Sequence, residues 1–324
     1  MRSFWLFLTV GLASVPALAS DADMAPALSE KFVGNIVGLE DHGLPKKFTS
    51  YWDQVTLENN GKWVFVEKER DVMTWETLDA QVAAAQEAGL PIKQHAFIWG
   101  MSEPRWLEGL PYEEQRAEVE EWMRAFAQRY PDIEMVDVVN EPITIPPKYH
   151  KDAIGGDGET GWDWVIWAYE LARELYPDAT LILNEHSTLR RLDKRQRFQE
   201  IIALLQERGL VDAIGLQAHW IEGLPSRRIV AGLDDYAKFG LPIYISELDF
   251  NADTDGEQLA TMSRGFPILF EHPAVHGITF WGYREGELWQ KKAYLLNADG
   301  TPRPALAWLH GYLAGIRAGA TAEE

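Results

Sequence analysis

Two glutamates in this chain stand where a bond-breaking pair would have to stand. Glu141 follows the apolar run Val136-Asp137-Val138-Val139-Asn140 and precedes Pro142. Proline lacks the N–H that a sheet ladder needs and favours an extended residue before it. The run is therefore predicted to be a strand that stops with Glu141 extended at its end. Glu247 closes a second run of the same design, Ile243-Tyr244-Ile245-Ser246, and Leu248-Asp249-Phe250 follow it. Two carboxylates on different strands can flank a glycosidic bond, one giving a proton and the other attacking the sugar carbon. A single strand-end glutamate is as readily a solvated or ion-paired carboxylate, so the reading rests on the pair.

Other polar residues gather at the same kind of place. Glu58 and Asn59 end the run from Val55, His95 and Trp99 the run from Pro91, and Gln217 and His219 the run from Ala213. Trp281 ends Gly277-Ile278-Thr279-Phe280. These runs, with Phe32 to Leu39, Thr180 to Asn184 and the two glutamate strands, alternate with helical patterns. Thr74 is placed to cap a helix carrying Leu78, Val82 and Ala85 and closed by Gly89. Val119, Trp122, Met123 and Phe126 form an apolar stripe at helical spacing. Further helices are expected at about Thr160–Tyr176, around Phe198–Leu205 with Gly209 as stop, and at Arg228–Phe239, Gln258–Phe270 and Ala305–Ile316. Strand–helix alternation of this length predicts an α/β chain folded as a single (β/α)8 TIM barrel, whose chemistry sits at the C-terminal ends of its strands. No glycine-rich phosphate fingerprint follows a strand, which weakens a nucleotide-binding fold.

Composition narrows the partners. Arg2, the apolar Phe4–Leu12 and Ala17-Leu18-Ala19 read as a signal peptide over residues 1–19, with a secreted product in the periplasm or outside the cell. Residues 20–324 are then one catalytic domain, without a linker to a second module. No run approaches the roughly 20 apolar residues that span a bilayer. The formal charge of −20 argues against nucleic acid and anionic lipid. With no cysteine, disulfides and thiolate chemistry are excluded. No cluster has zinc-like spacing, and neither metal nor cofactor is expected. Fourteen tryptophans exceed ordinary usage and suit a site that stacks sugar rings, although core packing uses them equally.

Taken together, these segments resemble glycoside hydrolase family 10, the group dominated by endo-1,4-β-xylanases. Glu58-Asn59-Asn60-Gly61-Lys62-Trp63 is similar to its early Glu-Asn-x-x-Lys-Trp segment, and His95-Ala96-Phe97-Ile98-Trp99 to its third-strand motif. Asn140-Glu141, Gly215-Leu216-Gln217-Ala218-His219, Ser246-Glu247-Leu248-Asp249 and Phe280-Trp281-Gly282 with Trp289 complete the order, over about Phe32 to Tyr312. The resemblance implies a retaining hydrolase of xylan and xylo-oligosaccharides, expected to be a monomer. Glu141 would be the acid/base and Glu247 the nucleophile, and repulsion from Glu247 would hold the Glu141 proton on. It implies that Asn140 meets the sugar 2-hydroxyl and that His219 bridges Asp249 to Glu247. Glu58, Asn59, Lys62, His95, Trp99, Gln217, Trp281 and Trp289 would line the sugar subsites. Two other readings stay open: the same chemistry on another or a decorated β-glycan, and a non-catalytic glycan-binding barrel.

Four positions depart from the family's pattern. Ser102 stands for a sugar-contacting glutamine, Asn184-Glu185-His186 for Asn-Asp-Tyr, and Arg284-Glu285 for Thr-Asp, while Pro142 replaces a small or apolar residue. These positions are expected to alter subsites rather than the catalytic pair.

Overall fold

The computed structural model describes residues 26–320, so the predicted signal segment 1–19 lies outside the described residues. Eight parallel strands close into a barrel in sequence order, with β1 beside β8. They are β1 Phe32–Val37, β2 Val55–Leu57, β3 Ile92–Ile98, β4 Met135–Asn140, β5 Thr180–His186, β6 Ala213–Gln217, β7 Ile243–Leu248 and β8 Val275–Phe280. Parallel strands covered by helices are buried on both faces, and every residue of β3 and of β4 is buried. A one-turn helix α1, Trp63–Val66, precedes α2 Glu76–Glu87, α3 Tyr112–Arg129, α4 Asp163–Leu175 and α5 Leu192–Gln206. The ring continues with α6 Ser226–Ala237, α7 Asp255–Phe270 and α8 Pro304–Ala320. Between β1 and β2 the chain returns through a 3-10 turn at Phe48–Ser50, and Phe48 and Trp52 are buried in the core. Among the described residues no helix is long and apolar enough to cross a membrane.

The predicted alternation is present, with corrections at helix starts. Thr74 does not cap α2: its hydroxyl donates to the Val66 carbonyl at 3.1 Å, and Trp75 is the cap residue. The helix expected from Thr160 begins at Asp163, whose carboxylate takes the Thr160 N–H and hydroxyl instead. Where β1 closes on the rest, Gly34 has no room for a side chain. A Cβ there would lie 2.0 Å from Gln54 Oε1 and 2.8 Å from the Gln54 carbonyl.

Register shifts fall between His95 and Ile98 in β3, Asp137 and Val139 in β4, and Ile245 and Leu248 in β7. Such irregularities turn side chains out of the regular pleat. Here they lie beside the residues that form the cleft.

Candidate active site

A cleft of about 520 Å³ opens at the C-terminal ends of the strands. It is lined by Glu58, Asn59, Lys62, His95, Trp99, Asn140, Glu141, Gln217, His219, Glu247, Trp281 and Trp289. Every predicted site residue is therefore in one place except Asp249, which lies behind His219.

Glu247, at the end of β7, is almost wholly buried, and both its oxygens are held. Oε2 lies 3.1 Å from His219 Nε2, and Oε1 accepts from Asn184 Nδ2 at 2.8 Å. The other nitrogen of His219 is 2.7 Å from Asp249 Oδ2. An imidazole between two carboxylates can serve both only by donating from both nitrogens. Burial alone would lower the His219 pKa, but the bonds to Asp249 and Glu247 carry it up to about 10. Burial works the other way on Glu247. The hydrogen bond from His219 and the surrounding positive charge overcome it and hold the carboxyl at about 2.

Glu141 corrects one expectation. Its backbone is not extended but left-handed, with φ +54°, just past the last residue of β4. A non-glycine residue there costs on the order of 1–3 kcal/mol. The turn is fixed by contacts that Pro142 does not control. The Glu141 N–H donates to the Asn184 carbonyl at 2.8 Å, and its own carbonyl accepts from Thr144 at 3.2 Å and Ile145 at 2.9 Å. Glu185 Oε2 then accepts the Ile143 and Thr144 N–H groups at 3.0 and 3.3 Å.

In this position Glu141 Oε1 accepts from Gln217 Nε2 at 3.1 Å. Its pKa is pushed up to about 7, first by burial and second by the Glu247 charge, so repulsion is the smaller of the two causes. Asn140 Oδ1 accepts from Asn184 at 2.9 Å and from Gln217 at 3.2 Å. Its Nδ2 makes a long 3.5 Å contact to Glu141 Oε1.

Farther along the cleft, Lys62 is buried rather than a surface ion pair. Its ammonium lies 3.1 Å from Asn59 Oδ1 and 4.9 Å over the Trp99 ring, while Asn59 Nδ2 donates to Glu58 at 2.8 Å. Burial lowers the Lys62 pKa and raises that of Glu58, each opposed by the charge of the other. His95 is buried with Nδ1 2.8 Å from Asp137 and Nε2 4.0 Å from Glu247. Trp281 packs edge-on against His95 at 4.9 Å, and Trp289 against His219 at 4.7 Å.

Two departures from the family's pattern fall outside the cleft. Ser102 is buried, with its hydroxyl on the Trp99 carbonyl, and so is not a sugar contact in the missing glutamine's place. Arg284 is held by Asp41 and Glu287. Phe65, Met101 and Ile145 line the cleft without having been foreseen, and two further contributors were not foreseen either. Trp220, left-handed at φ +59° directly after His219, lines the cleft and meets Trp289 edge-on at 5.4 Å. Lys194, on α5, reaches His186. Nothing in the local sequence marks either, although Trp220 adjoins a predicted site residue.

Donor atoms of Glu141, Glu185 and His186 lie within 4.8 Å of one another, as metal ligands would. The Glu185 oxygens are already taken by Thr144, Ile143 and His186, and the Lys194 ammonium is 3.4 Å from His186 Nε2. The place a cation would take is covered by a cation.

A closed (β/α)8 barrel with two carboxylates in its mouth, one pushed up in pKa and one held down, and flanked by tryptophans, fits a glycoside hydrolase site. The profile of glycosyl hydrolase family 10 matches residues 24–312, and the chain belongs to that family. It is 39% identical over 285 residues to an endo-1,4-beta-xylanase B of Cellvibrio japonicus, covering 87% of this chain and 45% of that protein. Identity to an endo-1,4-beta-xylanase B of Thermotoga neapolitana is 26%, over 77% of each chain. The chain thus spans under half the length of the Cellvibrio relative. Among solved structures, xylanase 10B of Thermotoga petrophila in complex with xylobiose has a TM-score of 0.76 at 24% identity, covering 94% of this chain and 99% of that one. That likeness establishes the shared fold.

Proposed function

We propose that the chain is a retaining endo-1,4-β-xylanase acting by double displacement. The observation that carries the hydrolase reading is the unlike setting of two glutamates in one cleft, Glu247 held by His219 and Asn184 and Glu141 by the neutral Gln217 amide. The retaining course is what membership of family 10 supports. At neutral pH one can give a proton while the other attacks. In the first step a Glu247 oxygen bonds to the anomeric carbon as Glu141 protonates the departing glycosidic oxygen. The sugar beyond the bond leaves with that proton, and a glycosyl ester remains on Glu247. The Glu247 charge is then gone, the Glu141 pKa falls, and the Glu141 carboxylate takes a proton from the water that attacks the same carbon. That attack breaks the ester bond, releases the sugar with its hydroxyl and returns Glu247 as a carboxylate and Glu141 as the acid. Asn140 Nδ2, oriented by the two amides on its Oδ1, would bond the sugar 2-hydroxyl. Xylan as the substrate is supported by the named activity of the relatives, and glycan binding without turnover is disfavoured by the intact pair.

The test is the anomer first released from xylo-oligosaccharides, followed by NMR. A β product that later mutarotates is expected, and an α product would refute double displacement. Glu247→Gln should abolish turnover. Glu141→Ala should lose most with poor leaving groups, least with good ones, and form a β-glycosyl azide with added azide. Secretion is part of the same proposal. N-terminal sequencing of protein recovered outside a bacterial cytoplasm should begin at Ser20, and an uncleaved Met1 start would overturn it.

A further inference from the structure

His186 and Lys194 sit beside the acid but take no part in the two steps above. Gln217 donates to Glu141 Oε1, so the carboxyl proton belongs on Oε2. That oxygen faces His186 Nε2 at 3.9 Å. A free imidazole nitrogen at this distance is a competing acceptor for the proton needed by the leaving sugar. The nitrogen is not free. Lys194 Nζ approaches it at 3.4 Å, and ammonium can only donate, which makes Nε2 an acceptor and leaves the ring hydrogen on Nδ1. There it meets Ser187 Oγ at 2.8 Å. Lys194 is itself aimed: it donates to Thr144 Oγ1, which donates to Glu185 Oε1 at 2.8 Å, and Glu185 also holds the turn that carries Glu141.

We propose that Lys194 guards the catalytic proton: by donating to His186 Nε2 it occupies the ring nitrogen facing Glu141 Oε2, so the proton goes to the glycosidic oxygen and not to the imidazole. Lys194 is a positioning residue, acting through His186. The inference rests on the reading of Glu141 as the acid. The charged groups facing His186 are Lys194 from α5, Glu141 from the end of β4, Glu185 from β5, His219 beyond β6 and Glu247 from β7. Burial first, then the charges of Lys194 and His219, hold His186 down to about 4, so the ring is neutral where the enzyme works.

The experiment compares pH profiles of kcat/KM on a poor-leaving-group xyloside for wild type, Lys194→Met, Lys194→Arg and Lys194→Met/His186→Phe. Without Lys194 the Nε2 lone pair is open to the Glu141 Oε2–H, which then points to the ring instead of the glycosidic oxygen. On this substrate kcat/KM should fall about tenfold, while the basic limb stays in place or moves to higher pH, because the buried ring remains neutral and a positive charge is lost. Arginine should keep the wild-type rate, and the double variant, which has no ring nitrogen to take the proton, should recover it. An unchanged kcat/KM in Lys194→Met overturns the proposal, as does a double variant as slow as Lys194→Met. Initial release of a good leaving group, which needs no proton, should stay near wild type in Lys194→Met, and a matching loss there would point to general misfolding and overturn it. If Glu141→Ala lost activity equally on both substrate types, the acid assignment itself would fail, whatever the Lys194 profile.

Discussion

Glu141 and Glu247 carry the same side chain, and only their surroundings set one near 7 and the other near 2. Burial acts upward on both, so the difference lies in the bonds and the charges that each carboxyl meets. Glu247 has an imidazolium on Oε2 and an amide on Oε1, whereas Glu141 has only neutral amides, Gln217 at 3.1 Å and Asn140 at 3.5 Å, and faces the Glu247 charge. The kcat/KM profile on xylo-oligosaccharides is therefore expected to lose activity above about 7, as Glu141 gives up its proton, and to hold on the acid side until Glu247 protonates far below 4. A single rising limb through neutral pH would contradict the assignment. Asp249→Asn removes the partner that keeps His219 charged, so the Glu247 pKa should rise. The acid limb should climb by about one unit or more, with a lower kcat. An unchanged limb and rate would show that Asp249 does not act through His219.

At the scale of the element, what the sequence disclosed and what it hid have a common cause. A strand of a closed parallel barrel is an apolar run ending in polar residues, and that signature is local; β4, which ends at Asn140, and β7, which carries Glu247 one residue before its end, were legible for this reason. Glu141's left-handed backbone was not, because the preference imposed by Pro142 points to an extended residue. The contacts that override it come from Asn184 and Glu185 on β5, over forty positions away in the chain. Trp220 and the inward turn of Ser102 were hidden likewise, being set by loops packed on one another. Helix starts show the same limit: Thr74 spends its hydroxyl on Val66, while Thr254 forms a reciprocal cap with Glu257 that opens α7. Thr254→Ala should lower stability by about 1 kcal/mol, a Tm change of about 2–3 °C, with kcat unchanged. Thr254→Ser should keep the wild-type Tm. A fall in kcat at unchanged Tm would mean that α7 positions the site rather than only stabilising the barrel.

For the whole molecule, the question is which sugar the barrel admits over its catalytic pair. Both closing tryptophans stand against histidines that reach Glu247: Trp281 against His95, and Trp289 against His219. On the proposed mechanism a sugar bonded to Glu247 would lie between two indole walls, and the walls differ. Trp281 is 6% exposed and fixed by packing, whereas Trp289 is 50% exposed and braced by Trp220. Xylose lacks the hydroxymethyl group that glucose would have to fit between them. Rejecting one such group is worth about 1–3 kcal/mol, so kcat/KM should favour xylo-oligosaccharides over matching cello-oligosaccharides by about 10–200-fold. Trp289→Ala removes the more exposed wall without opening the core. It should narrow that ratio, mainly by raising the rate on the glucose series relative to the xylose series. If the wild-type enzyme turned over both series equally, the xylan assignment would fall while double displacement stood. If the wild-type preference held but Trp289→Ala left it untouched, selection would rest on the rigid Trp281 side of the cleft.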